Sequence, residues 1–127
     1  MIWQVTIPGQ AMSTNHIYKN TIRVARNGRH YQARKLTDEA QQYFDDAVRL
    51  IKVARPSRWS PEGQVRVIFD LHLTRDIDSD NTKKLILDAL EAATGVNDSR
   101  YLDCTRTKTT RLPLSQARIE LTIDDQP

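Results

Sequence analysis

The sequence predicts an α+β fold, a small mixed β-sheet with two main helices in the order strand, hairpin, helix, strand, helix, strand, strand. Two stretches carry apolar residues at three- and four-residue steps, and several shorter runs alternate with a period of two. The chain has 127 residues, 39% hydrophobic and 28% charged. That length supports one hydrophobic core and is short for two ordinary domains, so a single domain is expected.

Ile2 to Ile7 alternates β-branched and aromatic residues with polar ones and stops at Pro8-Gly9, which makes it the first strand. Gln10 to Asn20 reads as a polar loop holding Ser13, Thr14, Asn15, Tyr18 and Lys19. Its hydroxyl and amide groups suit phosphate oxygens, and its tyrosine offers a ring for stacking. An ordinary loop in which Asn15 caps a turn explains the same residues. Two short runs, Thr21 to Ala25 and Arg29 to Gln32, flank Arg26-Asn27-Gly28. Asn-Gly tolerates positive φ at both positions, so a hairpin is expected here.

Thr37 to Ala54 is the first helix, with Thr37 as N-cap, Glu39 in the first turn and Ala40, Phe44, Ala47, Val48 and Ile51 on its buried stripe. A connection containing Pro56, Trp59 and Pro61 follows, and Trp59 is expected to cover an apolar edge or to meet another subunit. Gln64 to Leu73 is the clearest strand, directing Val65, Val67, Phe69, Leu71 and Leu73 to one side. A second helix, capped by Asp80 or Ser79, runs to about Thr94, with Gly95 as its C-cap. Lys84 and Asp88 follow Asp80 at one-turn steps on its accessible side. Tyr101 to Thr109 and Gln116 to Asp124 complete the chain as strands.

Charge is distributed unevenly. Residues 1 to 35 contain no Asp or Glu and hold six of the 19 Lys and Arg, leaving 13 basic against 16 acidic residues in the remainder, or net −3. A basic arm ahead of an acidic centre suits an enzyme that holds a polyanion while recruiting a metal, although uneven surface charge is also common. No apolar run approaches the ~20 residues that span a bilayer, and the N-terminus lacks the basic start and apolar stretch of a secretory signal. The lone Cys104 has no internal disulfide partner, so a cytoplasmic location is expected. His16 and His30 lack ligand-type partners at helical spacing and read as exposed polar side chains.

The functional signal lies in Asp76-Ile77-Asp78-Ser79-Asp80-Asn81-Thr82-Lys83-Lys84, with Asn97-Asp98 behind it. Three aspartates at alternate positions between a strand and a helix repel one another unless a cation sits among them. Hard oxygen donors of this kind suit Mg²⁺ or Mn²⁺. An EF-hand starting at Asp76 requires Gly at its sixth position and Glu at its twelfth, where the chain has Asn81 and Leu87. A nucleotide-sugar enzyme using Asp-x-Asp generally needs a larger scaffold. Helix capping and surface ion pairs account for Asp80, Lys84 and Asp88, but not for the gathering of so many acids.

The run from Asp78 to Lys84, then Leu87-Asp88-Ala89-Leu90 and Asn97-Asp98-Ser99-Arg100, resembles the RusA family of Holliday-junction resolvases. The opening strand with Pro8, followed by Ser13 to Tyr18, is similar to the start of that family, so the likeness spans nearly the whole chain. It implies a RusA-like fold and a homodimer that nicks four-way DNA junctions in matched pairs during recombination and repair, using Mg²⁺ or Mn²⁺ in its place. It assigns catalysis to Asp78, Asp80, Asp98 and Lys84, with Asp78, Asp80 and Asp98 as metal ligands. The DNA-contacting set is then Asn15, Tyr18, Lys19, Arg23, Arg26, Arg29, Arg34, Lys35, Lys83, Arg106 and Lys108. Two positions depart from the family: Asn97, where a second Asp is common, and Ile77, where a cation precedes the first Asp. Arg75 is placed to supply that cation, and Asp76 is an additional outer carboxylate. A non-catalytic junction-binding protein of the same fold is the alternative reading.

Overall fold

The computed structural model describes residues 1–13 and 17–126. Eight main elements follow in order: β1 (Ile2–Pro8), β2 (Tyr18–Val24), β3 (His30–Leu36), α1 (Asp38–Ala54), β4 (Val65–His72), α2 (Ser79–Thr94), β5 (Tyr101–Thr109) and β6 (Arg118–Asp124). Single 3₁₀ turns, Asp98–Arg100 and Leu114–Gln116, precede the last two strands. The expected mixed α+β class with two helices is what forms.

Four strands make one sheet in the order β1-β6-β4-β5. β4 runs parallel to β5 and antiparallel to β6, which in turn is antiparallel to β1. The parallel pair arises because α2 carries the chain from the end of β4 back to the start of β5, the crossover that parallel neighbours require. Alternation then decides the faces. Val65, Val67, Phe69 and Leu71 of β4, with Ile119, Leu121 and Ile123 of β6, meet Ala47 and Ile51 of α1 and Ile86, Ala89, Leu90 and Ala93 of α2 in one core. The opposite face is polar: Gln4 donates to Thr122 at 3.5 Å, and His72 lies 3.6 Å from Glu120. Covering one face only is the usual habit of sheets with antiparallel pairs.

β2 and β3 form a separate two-stranded ribbon. Both strands are longer than the sequence suggests, because register extends from Val24–His30 down to Tyr18–Leu36. Tyr18, Lys19 and Asn20 therefore belong to a strand and not to the polar loop. Gly28 at φ +81 permits the turn at the tip. The root is held by a small second core, in which Ile17, Ala40 and Leu85 are buried against Met12, Tyr18, Leu36, Tyr43 and Phe44. Thr37 N–H also donates to the Ile17 carbonyl at 2.8 Å. Asn15 lies outside the described residues.

Other boundaries moved for local reasons. Thr37 caps α1 as expected, accepting from the Ala40 N–H at 3.2 Å. Asp78, not Ser79 or Asp80, caps α2, because the helix begins at Ser79, one residue earlier than Ser79 capping would require and two earlier than Asp80 capping would. Gly95 at φ +76 ends α2, as expected. β6 starts at Arg118, since Pro113 leads into the 3₁₀ turn instead of a strand. Trp59 is 3% exposed and packs edge-on against Trp3, with ring centroids 5.3 Å apart, so its role is inside the fold. No helix among the described residues is long and apolar enough to cross a membrane.

Candidate functional site

A groove of about 290 Å³ runs beside α2. Asp80, Lys84 and Asp88 line it from successive turns of the helix, Asp98 from the 3₁₀ turn beyond it, and Asp103 from β5, with Lys83, Leu87 and Tyr101 completing the walls. Four carboxylates and two ammonium groups thus share one groove. The helix side follows from one-turn spacing, and the strand side from alternation, since Tyr101 and Asp103 point to the helix-covered face of β5.

Asp78 accepts the Asp80 N–H at 3.1 Å, fixing the first turn of α2 with a carboxylate at the positive end of the helix. It remains exposed, with further lone pairs directed to solvent. Asp80 is the acidic residue of the first helical turn and is exposed. Asp98 stands past the other end of α2, where its N–H approaches Glu91 Oε1 at 3.4 Å. Asn97 Oδ1 accepts from Ser99 N–H at 2.9 Å and so acts as a cap. Asp80 and Asp98 line the same groove, one from the first turn of α2 and the other from the 3₁₀ turn after it. Among the described residues, no three His, Cys, Asp or Glu side chains gather closely enough to hold a metal ion. The structure therefore brings Asp80, Asp98 and Lys84 into one groove, but does not draw Asp78, Asp80 and Asp98 to a point.

The donor chemistry still fits Mg²⁺. That ion keeps several waters and takes one or two carboxylates, which the exposed Asp78 and Asp80 could supply. Lys84, half-exposed, has its Nζ 3.5 Å from Asp88 Oδ2. Its partner is a surface carboxylate one turn away, a contact worth only a few tenths of a kcal/mol and easily exchanged for a phosphate.

Several cations of the expected DNA-contacting set are paired with carboxylates. Lys83 is buried, with Nζ 3.1 Å from Asp103 Oδ2 and 5.4 Å from the centroid of the Phe69 ring. It is part of the groove wall. Arg106 donates through Nε and Nη2 to both oxygens of Asp70, at 3.1 and 2.5 Å. Thr107 Oγ1 adds a third bond to the same carboxylate at 2.6 Å. Asp70 alternates with the core residues of β4, so this cluster lies on the polar face of the sheet, away from the groove. Its hydrogen bond from Arg106 is the main reason the Asp70 carboxyl is held below the usual carboxylate range. Lys108 pairs with Asp76 at 2.7 Å, which likewise lowers the Asp76 pKa and occupies the additional acid. Ile77 is buried in the main core, so no cation fits at that position without losing packing.

Asp103 and Asp70 are the residues that motif reading passed over. Asp103 was detectable in one respect: it follows Tyr101 by two in an alternating run, and so shares its face. Its partner Lys83 was not, because pairing across α2 and β5 depends on the crossover. No protein-family model matches the chain, and no curated protein matches it significantly.

Proposed function

We propose that the protein is a RusA-like, metal-dependent endonuclease that nicks four-way DNA junctions in matched pairs as a homodimer. The observation that carries this reading is the placing of two opposite electrostatic features on one helix. The acidic groove lines α2 from Asp80 to Asp88, while the cationic β2–β3 ribbon is rooted on the same helix through Leu85. Such an arrangement lets a polyanion be held by one feature while a phosphodiester is drawn to the other.

Asp78 and Asp80 would hold the cation, with Asp98 as the third carboxylate lining the groove. Bound Mg²⁺ supplies an acidified water and offsets phosphodiester charge. Lys84 leaves Asp88 to stabilise the extra negative charge that develops on the phosphate during attack. Lys83, held by Asp103 over Phe69, keeps the groove wall in place and preserves a positive charge behind the reacting centre. Twofold symmetry of a homodimer matches the two opposed strands that must be cut in a junction.

Incubation of the protein with a labelled synthetic four-way junction and with its linear duplex arms, in Mg²⁺ and in EDTA, tests the reading. Paired symmetric nicks on the junction that require Mg²⁺ are expected. Tight junction binding in both conditions without nicks in either would instead select the non-catalytic junction-binding protein, a reading favoured by the capping role of Asp78.

A further inference from the structure

The β2–β3 ribbon has two chemically different faces. Residues directly opposed in an antiparallel pair share a face, and faces alternate along each strand. One face therefore carries Lys19 opposite Lys35, Thr21 opposite Ala33 and Arg23 opposite Tyr31. The row continues to Arg29, whose carbonyl accepts the Ala25 N–H at 2.8 Å. The other face carries Asn20 opposite Arg34, Ile22 opposite Gln32 and Val24 opposite His30. Its one Arg or Lys, Arg34, lies with its guanidinium carbon 4.6 Å from the Tyr18 ring centroid.

Lys19, Arg23, Arg29 and Lys35 are all exposed, and Lys19 meets only a distant acid, Asp38, at 3.8 Å. Like charges set directly across a ladder destabilise it, and a two-stranded ribbon alone has little stability to spare. Lys19 opposite Lys35 is thus a repulsive pair at the root of a marginal element. A polyanion along that face converts the repulsion into attraction. Lys19 and Arg23 are about 13 Å apart along the strand, far enough to meet separate phosphates.

We infer that the Lys19, Arg23, Arg29 and Lys35 face of the ribbon is the one that follows a nucleic-acid backbone, and that Arg34 and the tip residue Arg26 take no direct part in phosphate contact. This assignment rests on the DNA-binding reading above and divides the arm that the sequence treats as uniform. Arg34 is committed to the Tyr18 ring, and its face is otherwise apolar or neutral, with Ile22 70% and Val24 61% exposed.

The test is the salt dependence of binding to a fluorescent four-way junction in EDTA. It compares the wild type, a variant with Lys19, Arg23, Arg29 and Lys35 all changed to Gln, and a second with Arg26 and Arg34 changed to Gln. Each lost phosphate contact lowers the slope of log affinity against log salt by about 0.7–0.9, so the four-site variant loses about 3 and the two-site variant keeps the wild-type slope. Lys35→Glu adds a control against unfolding: it faces Lys19 with an opposite charge, so thermal stability holds or rises while the slope falls. Equal loss per charge in the two multi-site variants overturns the face assignment and leaves DNA binding intact. Salt-independent or absent binding by the wild type overturns both.

Discussion

Lys83 and Asp103 pair across the wall of the groove, from α2 and from β5. The Lys83 side chain is 8% exposed against 36% for that of Asp103, so the two partners respond differently to removal of the other. Asp103→Ala strands a buried ammonium and is expected to destabilise the fold by about 3 kcal/mol in denaturant unfolding. Lys83→Met replaces that ammonium with an apolar chain over Phe69 and leaves a carboxylate that water can reach, so a change under about 1 kcal/mol is expected. Junction affinity of Lys83→Met should match the wild type. Asp70 gives a second check through pH. Its folded pKa lies below the unfolded value of about 3.9, so its pairing with Arg106 contributes stability above pH ~4. That contribution is lost as pH falls through the lowered folded value. Acid unfolding of Asp70→Asn should lack this component when compared with the wild type. The Asp70–Arg106 pairing was not readable from either residue alone: it depends on the register shift between Phe69 and Asp70, which sets Asp70 opposite Thr107.

At the level of elements, α2 joins stability and chemistry in its first turn. Asp78 is both its N-cap and a proposed ligand, and the two roles separate by substitution. Asp78→Ala is expected to cost about 1 kcal/mol, while Asp78→Ser keeps a capping oxygen and restores most of it. Neither variant should nick DNA. Full activity in Asp78→Ser would reduce Asp78 to a cap. Helices were the most legible elements, because Thr37, Gly95 and the apolar stripes encode their ends locally. The ribbon was legible in kind from Asn27-Gly28, but its length was not. Tyr18 and Leu36 are paired by burial against Leu85 and Ala40, a tertiary cause that no local pattern records.

The whole molecule turns on one topological choice. A crossover through α2 makes β5 parallel to β4 and places Asp103 and Tyr101 beside the helix that carries Asp80 and Lys84. The sequence supplies the strands and the acidic motif in order, but strand neighbours are settled by how the helices cover one face of the sheet. For the same reason the sequence placed Asp78 and Asp80 at the start of α2 and Asp98 beyond its end, but not the groove that Asp80 and Asp98 share. Asp78 and Asp80 begin the helix and Asp98 follows its end. Leu85 of the same helix buries the root of the ribbon, which joins the proposed DNA-holding arm to the element that lines the groove.

Whether the α2 groove is the proposed metal-dependent nuclease site is read from single-turnover nicking of a four-way junction in Mg²⁺. Wild type, Asp80→Asn and the exposed control Asp45→Asn are compared at protein concentrations that saturate binding. Asp80→Asn is expected to bind the junction and to lose at least ~100-fold in nicking rate, a barrier change of about 2.7 kcal/mol, while Asp45→Asn cuts like the wild type. Equal nicking by wild type and Asp80→Asn would contradict the proposal and move the chemistry away from this groove.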